Sequence, residues 1–380
     1  MSTGIVLGGG GARGAYEAGV LAGIVEVLGA SCPDHALFDV ICGTSVGAIN
    51  AAWLAAHADT CGHEVDGLVR KWTSLSLDRH LRPDVLGWFG RSRQDRLGRA
   101  FLDPQELESL VEEGVPWQRL HDNVAARRIR ALVVTALHVA SGRTTVFTHL
   151  APGQSYPASR DPRRVHVAER VTADHVLASA AVPLLFPSRK IGNAYYADGG
   201  LRFNTPIAPA LRMGVDKLVV IPLLQDFQKQ PLGPEEAPSL IFLAGKLLDA
   251  LLLDPIRHDL NVLQRFNRLV SVLHETLSEE EMQRVNDAME AERGTPYRKV
   301  ETLVFRPSED IGAMARRKGE ALERRGWRGK MVSRLTRIGG QVDADLLSFV
   351  LFDGDHAADL IELGRRDVRN RADEVRAFFG

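Results

Sequence analysis

A buried strand that must turn into a helix almost at once constrains this chain more than any other stretch. Phe38-Asp39-Val40-Ile41-Cys42 is an apolar run that stops at Gly43. Thr44-Ser45-Val46-Gly47 follows, and then the small, helix-compatible Ala48-Ile49-Asn50-Ala51-Ala52. The reading is strand, sharp turn, helix, with Ser45 at the apex of a G-x-S-x-G pattern, the nucleophile elbow. A side chain held on so tight a turn leaves little room for Cβ atoms two residues to either side, which places Gly43 and Gly47 there. The helix beyond aims free N–H groups and the positive end of its dipole at the serine oxygen and at any oxyanion formed beside it. In a chain with 35 glycines the pentapeptide also arises by chance. Its weight comes from its place on a strand-to-helix junction.

A second unit of the same kind precedes it. Gly4-Ile5-Val6-Leu7 is a short buried-strand signal, Gly8 to Gly14 is a glycine-rich loop, and residues 15–28 repeat apolar residues at helical spacing. Such a loop offers backbone N–H groups to a phosphate or to a catalytic oxyanion. Gly9, Gly11 and Gly14 also spell G-x-G-x-x-G, the dinucleotide fingerprint, but that reading needs an acid at the end of the second strand to hold a ribose. Cys42-Gly43-Thr44-Ser45 stands there instead. Consecutive strand–loop–helix units of a parallel sheet put their loops at one edge. The first loop is then placed to supply oxyanion donors beside the serine presented by the second.

The length, 380 residues, suits one large domain or a domain with an extension. A formal net charge of −1 gives no global field toward nucleic acid or an anionic surface. Cys32, Cys42 and Cys61 form no C-x-x-C pair and no zinc-type spacing, and an odd count argues against a disulfide framework, so a reducing compartment fits. The N-terminus lacks a basic region followed by a long apolar one, and no apolar stretch is long enough to span a bilayer. The expected location is the cytoplasm, with peripheral contact at the inner membrane face left open.

Further along, residues 129–137 read as a strand, Ser141-Gly142 as a turn and 144–148 as its hairpin partner. His138 and His149 on these strands read as structural histidines. The aromatic pair Trp88-Phe89, in a polar loop over 79–99, reads as packing under its own loop in preference to touching lipid. Residues 172–185 form a small-residue helix stopped by Val182-Pro183. A strand-turn-strand over 190–197 leads to Asp198-Gly199-Gly200. Asp-Gly is a common turn signal, yet this acid follows a strand and its neighbours are too small to shield it. Residues 217–223 give one more buried strand. From 225 the composition changes: a Pro-, Glu- and Gln-rich boundary at 228–238, a packed apolar helix at 239–253 and helix over 261–293. A strand of the same sheet follows at 301–306, then a solvated basic face at 316–330 and a final amphipathic helix at 346–363.

G-x-S-x-G is most familiar from α/β-hydrolases with a Ser-Asp-His order. In that fold several strands precede the elbow, whereas one precedes it here. The histidines after Asp198, namely His258, His274 and His356, all fall in the helical extension. A carboxylate acting directly is then one candidate base for Ser45, and it would need strong oxyanion stabilisation because an ordinary aspartate is a weak base. The run Gly8 to Gly11 is the donor array such a pair wants.

At this point the residues resemble the patatin-like phospholipases. The match consists of Gly9-Gly10-Gly11-Ala12-Arg13-Gly14, Gly43-Thr44-Ser45-Val46-Gly47 and Asp198-Gly199-Gly200, in that order, with Ala178-Ser179-Ala180-Ala181-Val182-Pro183 before the aspartate. It covers residues 4–207, and 208–380 resembles the C-terminal extension of bacterial relatives. Gly8 departs from the pattern, since many relatives carry a polar residue there. The resemblance implies a three-layer α/β/α fold with a mostly parallel central sheet and a mainly helical extension. It implies Ser45 as nucleophile, Asp198 as base, and an oxyanion hole from the N–H groups of Gly9, Gly10 and Gly11 with Arg13. The implied reaction is hydrolysis of acyl esters in phospholipids or neutral lipids through an acyl-serine, with no metal or other cofactor and no nucleic-acid partner. Acyl transfer to an alcohol or thiol, esterase action on another acyl ester and a silent scaffold remain the alternatives.

Overall fold

The computed structural model of the protein describes residues 1–29, 36–60, 65–75, 105–157, 159, 161–183, 185–203, 206–224, 254–293, 296, 298–325 and 344–380. The Trp88-Phe89 loop, the boundary at 228–238, the apolar stretch 239–253, the basic run beyond 325, Cys32 and Cys61 lie outside the described residues.

The chain opens with β1 (Thr3–Leu7), a 3-10 turn over Gly11–Gly14 and α1 (Ala15–Leu28), then β2 (Val40–Thr44) and α2 (Val46–Ala56). Next come α3 (Val65–Thr73), α4 (Gln105–Glu112) and α5 (Trp117–Ala125). The hairpin β3 (Ala131–His138) and β4 (Arg143–Leu150) is followed by β5 (Arg164–Ala168) and α6 (Ala173–Ser179). A second hairpin, β6 (Arg189–Ile191) and β7 (Ala194–Asp198), runs into α7 (Gly200–Phe203), α8 (Ile207–Arg212) and β8 (Lys217–Ile221). The remainder is α9 (Asp254–Thr276), α10 (Glu279–Arg293), β9 (Glu301–Val304), α11 (Ile311–Arg325), α12 (Ala344–Val350), α13 (Gly354–Arg369) and α14 (Ala372–Phe379).

These strands form one mostly parallel sheet in the order β5-β4-β3-β2-β1-β8-β9, with β7 on β3 and β6 on β7. Side chains alternate between its faces, as the period of a strand requires. Ile5 and Leu7 of β1, Ile41 of β2, Leu132 and Val134 of β3, and Val219 and Ile221 of β8 enter one apolar core with α1, α2 and α13. Val6, Val40, Cys42, Val133, Leu218 and Val220 enter the other with Ile207 and Ala210 of α8 and Leu260 and Leu263 of α9. Two cores on two faces make the three layers of an α/β/α fold.

The strands expected at 217–223 and 301–306 are β8 and β9, both parallel members of this sheet. The C-terminal part also packs back on the first helix. The Tyr16 hydroxyl of α1 donates to Asp367 of α13 at 2.9 Å, and the N–H and hydroxyl of Ser308 converge on the same carboxylate. The basic face on α11 is ion-paired at the surface, Lys318 with Asp355 at 3.2 Å and Arg317 with Glu309. No helix among the described residues is long and apolar enough to cross a membrane.

Three expected elements differ. The helix over 261–293 is two helices, because Ser278 and Glu281 form a reciprocal capping box that starts α10 afresh. The helix over 346–363 is broken at Asp353, whose carboxylate accepts the His356 N–H at 3.0 Å and caps α13. The helix over 172–185 stops at Ser179, and the residues beyond it are spent on the site described next.

Candidate active site

The two strands that matter meet end to end. β3 gives one edge to β4 along its whole length and shares the other between β2 and β7. β2 runs parallel to β3 and ends with Thr44 opposite Thr135. β7 runs antiparallel and ends with Asp198 opposite Ala136, the next rung. The C-terminal ends of β2 and β7 therefore face each other on consecutive rungs. Ser45, one residue past β2, meets Asp198 although 153 positions separate them in the chain. The Thr44 and Thr135 hydroxyls, 2.6 Å apart and buried, tie the junction.

Ser45 has φ 55° and ψ −127°, a conformation L-residues rarely adopt. Strain of this kind persists only where the surroundings over-determine it. They do so here. A Cβ on Gly43 would stand 2.3 Å from the Gly47 carbonyl oxygen, and one on Gly47 would stand 2.4 Å from that of Leu7. Gly47→Ala therefore drives a methyl into strand backbone, which has no room to move. It destabilises the fold by about 3 kcal/mol or more, read as the shift of the denaturant midpoint against wild type. A variant as stable as wild type would refute this account of the elbow.

Residues 179–181, the turn after α6, brace both partners. The Ser179 hydroxyl accepts the Ser45 N–H at 2.8 Å. The Ser179 and Ala181 carbonyls accept the N–H groups of Gly199 at 3.3 Å and Asp198 at 2.8 Å. Sequence reasoning left Ser179 without a role; its only signal was its place in the small-residue stretch before the aspartate.

Asp198 is fully buried. One carboxylate oxygen accepts the Gly200 N–H at 2.6 Å, and the other, Oδ2, has no hydrogen-bond partner among the described residues. Burial pushes its pKa up to about 7, against the Ser45 hydroxyl and the Gly200 N–H, which pull it down. A carboxylate with a spare oxygen and a pKa near neutrality is what a general base needs.

The glycine loop stands beside them, on the neighbouring parallel strand. Gly10 and Gly11 line the same cavity as Ser45, and no acceptor among the described residues takes the N–H of either. Arg13, expected among the oxyanion donors, points its side chain elsewhere. Its Nε donates to the Ser348 hydroxyl at 2.8 Å and its guanidinium stacks 4.1 Å from the Phe349 ring centroid. Gly11, with φ 56°, lies so close to Phe349 that a Cβ there would meet its carbonyl oxygen at 2.2 Å. The C-terminal segment thus roofs the glycine loop.

Between loop, elbow and roof lies a cavity that opens to the surface. Its walls are apolar: Trp53, Leu68, Trp72, Val115, Phe186 and Phe352 among them. The one charged side chain on it among the described residues is Lys71, and no histidine lines it. His138 bonds Ser141 at its hairpin turn, and His149 packs against His121, away from the cavity. Among the described residues no group of three or more His, Cys, Asp or Glu could hold a metal ion.

A family model described as patatin-like phospholipase matches residues 5–211, a span holding Ser45, Asp198 and the glycine loop. Over 203 residues the chain is 30% identical to a cGAMP-activated phospholipase of Pseudomonas aeruginosa, covering 53% of each chain. It is 28% identical over 216 residues to the calcium-independent phospholipase A2-gamma of Oryctolagus cuniculus, covering 54% of this chain and 25% of that one. It is 45% identical over 69 residues to a cUMP-AMP-activated phospholipase of Escherichia coli, 18% of this chain and 19% of that one. The matched stretch thus spans about half the length of the first of these relatives and less of the others.

Proposed function

The chain belongs to the patatin-like phospholipase family, and we propose on that footing that it is a serine hydrolase of lipid acyl esters working through a Ser45–Asp198 dyad. The observation that carries this is the meeting of Ser45, strained on its elbow, with a buried carboxyl of pKa about 7 on the facing strand end. Ser45 Oγ attacks the ester carbonyl and its proton passes to Asp198. The oxyanion forms against the N–H groups of Gly10 and Gly11, and the dipole of α2 favours the same charge. Collapse expels the alcohol, which takes the proton back from Asp198 and leaves an acyl-Ser45. Water, giving a proton to Asp198, then attacks the acyl carbon; the bond to Ser45 Oγ breaks, the carboxylic acid leaves and Oγ takes the proton back from Asp198.

The apolar cavity suits the acyl chain, and three residues of its wall come from outside the family span: Phe349, Val350 and Phe352. Lys71 gives the cavity a cation suited to a lipid phosphate. These features favour a phospholipid over a small polar ester. The test gives the purified protein a short-chain chromogenic ester and phospholipid vesicles in parallel, with released acid titrated. Turnover of both is expected. Turnover of the chromogenic ester alone makes it a simple esterase, and release from neither sinks the hydrolase reading.

A further inference from the structure

Beneath the glycine loop runs a buried polar chain that this chemistry leaves unused. Glu17 of α1 and Asn50 of α2 are both fully buried. The Asn50 amide nitrogen donates to Glu17 Oε2 at 2.8 Å and to the Gly14 carbonyl at 3.1 Å. The Asn50 carbonyl accepts the Trp72 indole N–H at 3.1 Å. The other carboxyl oxygen of Glu17, Oε1, has no hydrogen-bond partner among the described residues. Burial holds the Glu17 pKa well above the usual carboxylate range. A polar cluster in such a place is poor value for stability alone, since apolar side chains of similar volume fill a core without desolvating polar groups.

Its position says what else it does. Gly14, whose carbonyl Asn50 holds, closes the glycine loop. Asn50 sits on the helix that starts at Ser45, little more than a turn further on, and Trp72 is part of the cavity wall. We infer that Glu17 and Asn50 are positioning residues, which tie the Gly14 end of the glycine loop to the helix carrying Ser45 and so hold the oxyanion donors in place against its hydroxyl. The inference rests on the hydrolase reading above. A donor displaced by about 1 Å is worth about 100-fold in rate, and the effect falls on the transition state and not on substrate binding.

The test compares Asn50→Ala, Glu17→Leu and Glu17→Gln with wild type on the chromogenic ester, with thermal unfolding as control. Asn50→Ala and Glu17→Leu remove the link and lower kcat about 10- to 100-fold, with KM within about threefold. Glu17→Gln keeps the shape and the acceptor, and keeps kcat within about threefold of wild type. Folded Ala and Leu variants with wild-type kcat overturn the inference, as does a Gln variant as slow as Leu. Should the first two fail to fold, Trp72→Phe removes the indole N–H together with the five-membered half of the ring and leaves an aromatic face in the cavity wall. A kcat lowered at least about threefold at unchanged KM then supports the inference, and an unchanged kcat overturns it. Indifferent variants of an active wild type sink the positioning role alone, whereas an inactive wild type removes the hydrolase reading and this one with it.

Discussion

Ser45→Ala lowers ester hydrolysis by about 10⁴-fold or more, because the alanine has no atom with which to form the acyl intermediate. The loss falls on kcat, since the cavity that binds the acyl chain keeps its walls. Stability moves by no more than about 1 kcal/mol: the methyl group fits where Cβ already stands, and the Ser45 N–H still has the Ser179 hydroxyl as its acceptor. The substitution also removes one of the two groups that lower the Asp198 pKa, so that carboxyl moves further up. Steady-state rates with the chromogenic ester check the first effect. Intact mass after a short incubation checks the chemistry, with an acyl adduct on wild type and none on Ser45→Ala. A variant that keeps even a hundredth of wild-type turnover would place the nucleophile elsewhere.

How much of this site could be read from the sequence depends on the distance over which each piece is encoded. The elbow is local: an apolar run, two glycines and a small-residue helix fall within 15 residues, and their steric logic reappears as Gly43 and Gly47 pressed against backbone. The side-by-side placing of the two glycine-bearing loops follows from a topological rule, and β1 does lie parallel beside β2. Asp198 could be suspected but not placed. Its strand enters antiparallel and abuts β2 across β3, a register that no spacing announces. The roof was invisible for a similar reason. Residues 346–363 have helical periodicity throughout, and the break at Asp353 depends on one cap against the preceding chain. Arg13 shows the limit from the other side. A motif places its backbone beside the site, but a long side chain goes where a ring and a hydroxyl wait for it, and those lie more than 300 positions away. β5 went unread because its five residues, Arg-Val-His-Val-Ala, are half exposed at the sheet edge and carry little apolar signal.

Asp198→Asn carries the second large effect, and it separates activity from stability with opposite signs. As the base, Asp198 must be ionised, so wild-type kcat/KM rises about tenfold per pH unit on the acid side and levels off above pH about 7. Asparagine keeps the shape and the acceptor for the Gly200 N–H but takes no proton, and turnover at pH 8 falls by about 1,000-fold or more. Stability runs the other way. Burial raises this carboxyl from 3.8 to about 7 in the folded chain. A raised carboxyl favours the fold only while it is protonated: its contribution is complete below the unfolded pKa and is lost as pH climbs through about 7. Above that pH the folded protein holds a buried charge that the unfolded chain leaves in water. A shift of this size corresponds to roughly 4 kcal/mol as an upper bound. Asp198→Asn removes the charge, so its denaturant midpoint exceeds that of wild type at pH 8 and converges with it near pH 4. Equal midpoints at both pH values would mean that Asp198 titrates as an ordinary carboxylate. A wild-type rate profile flat from pH 5 to pH 8 would deny it the role of base, and a histidine outside the cavity walls would have to be sought instead.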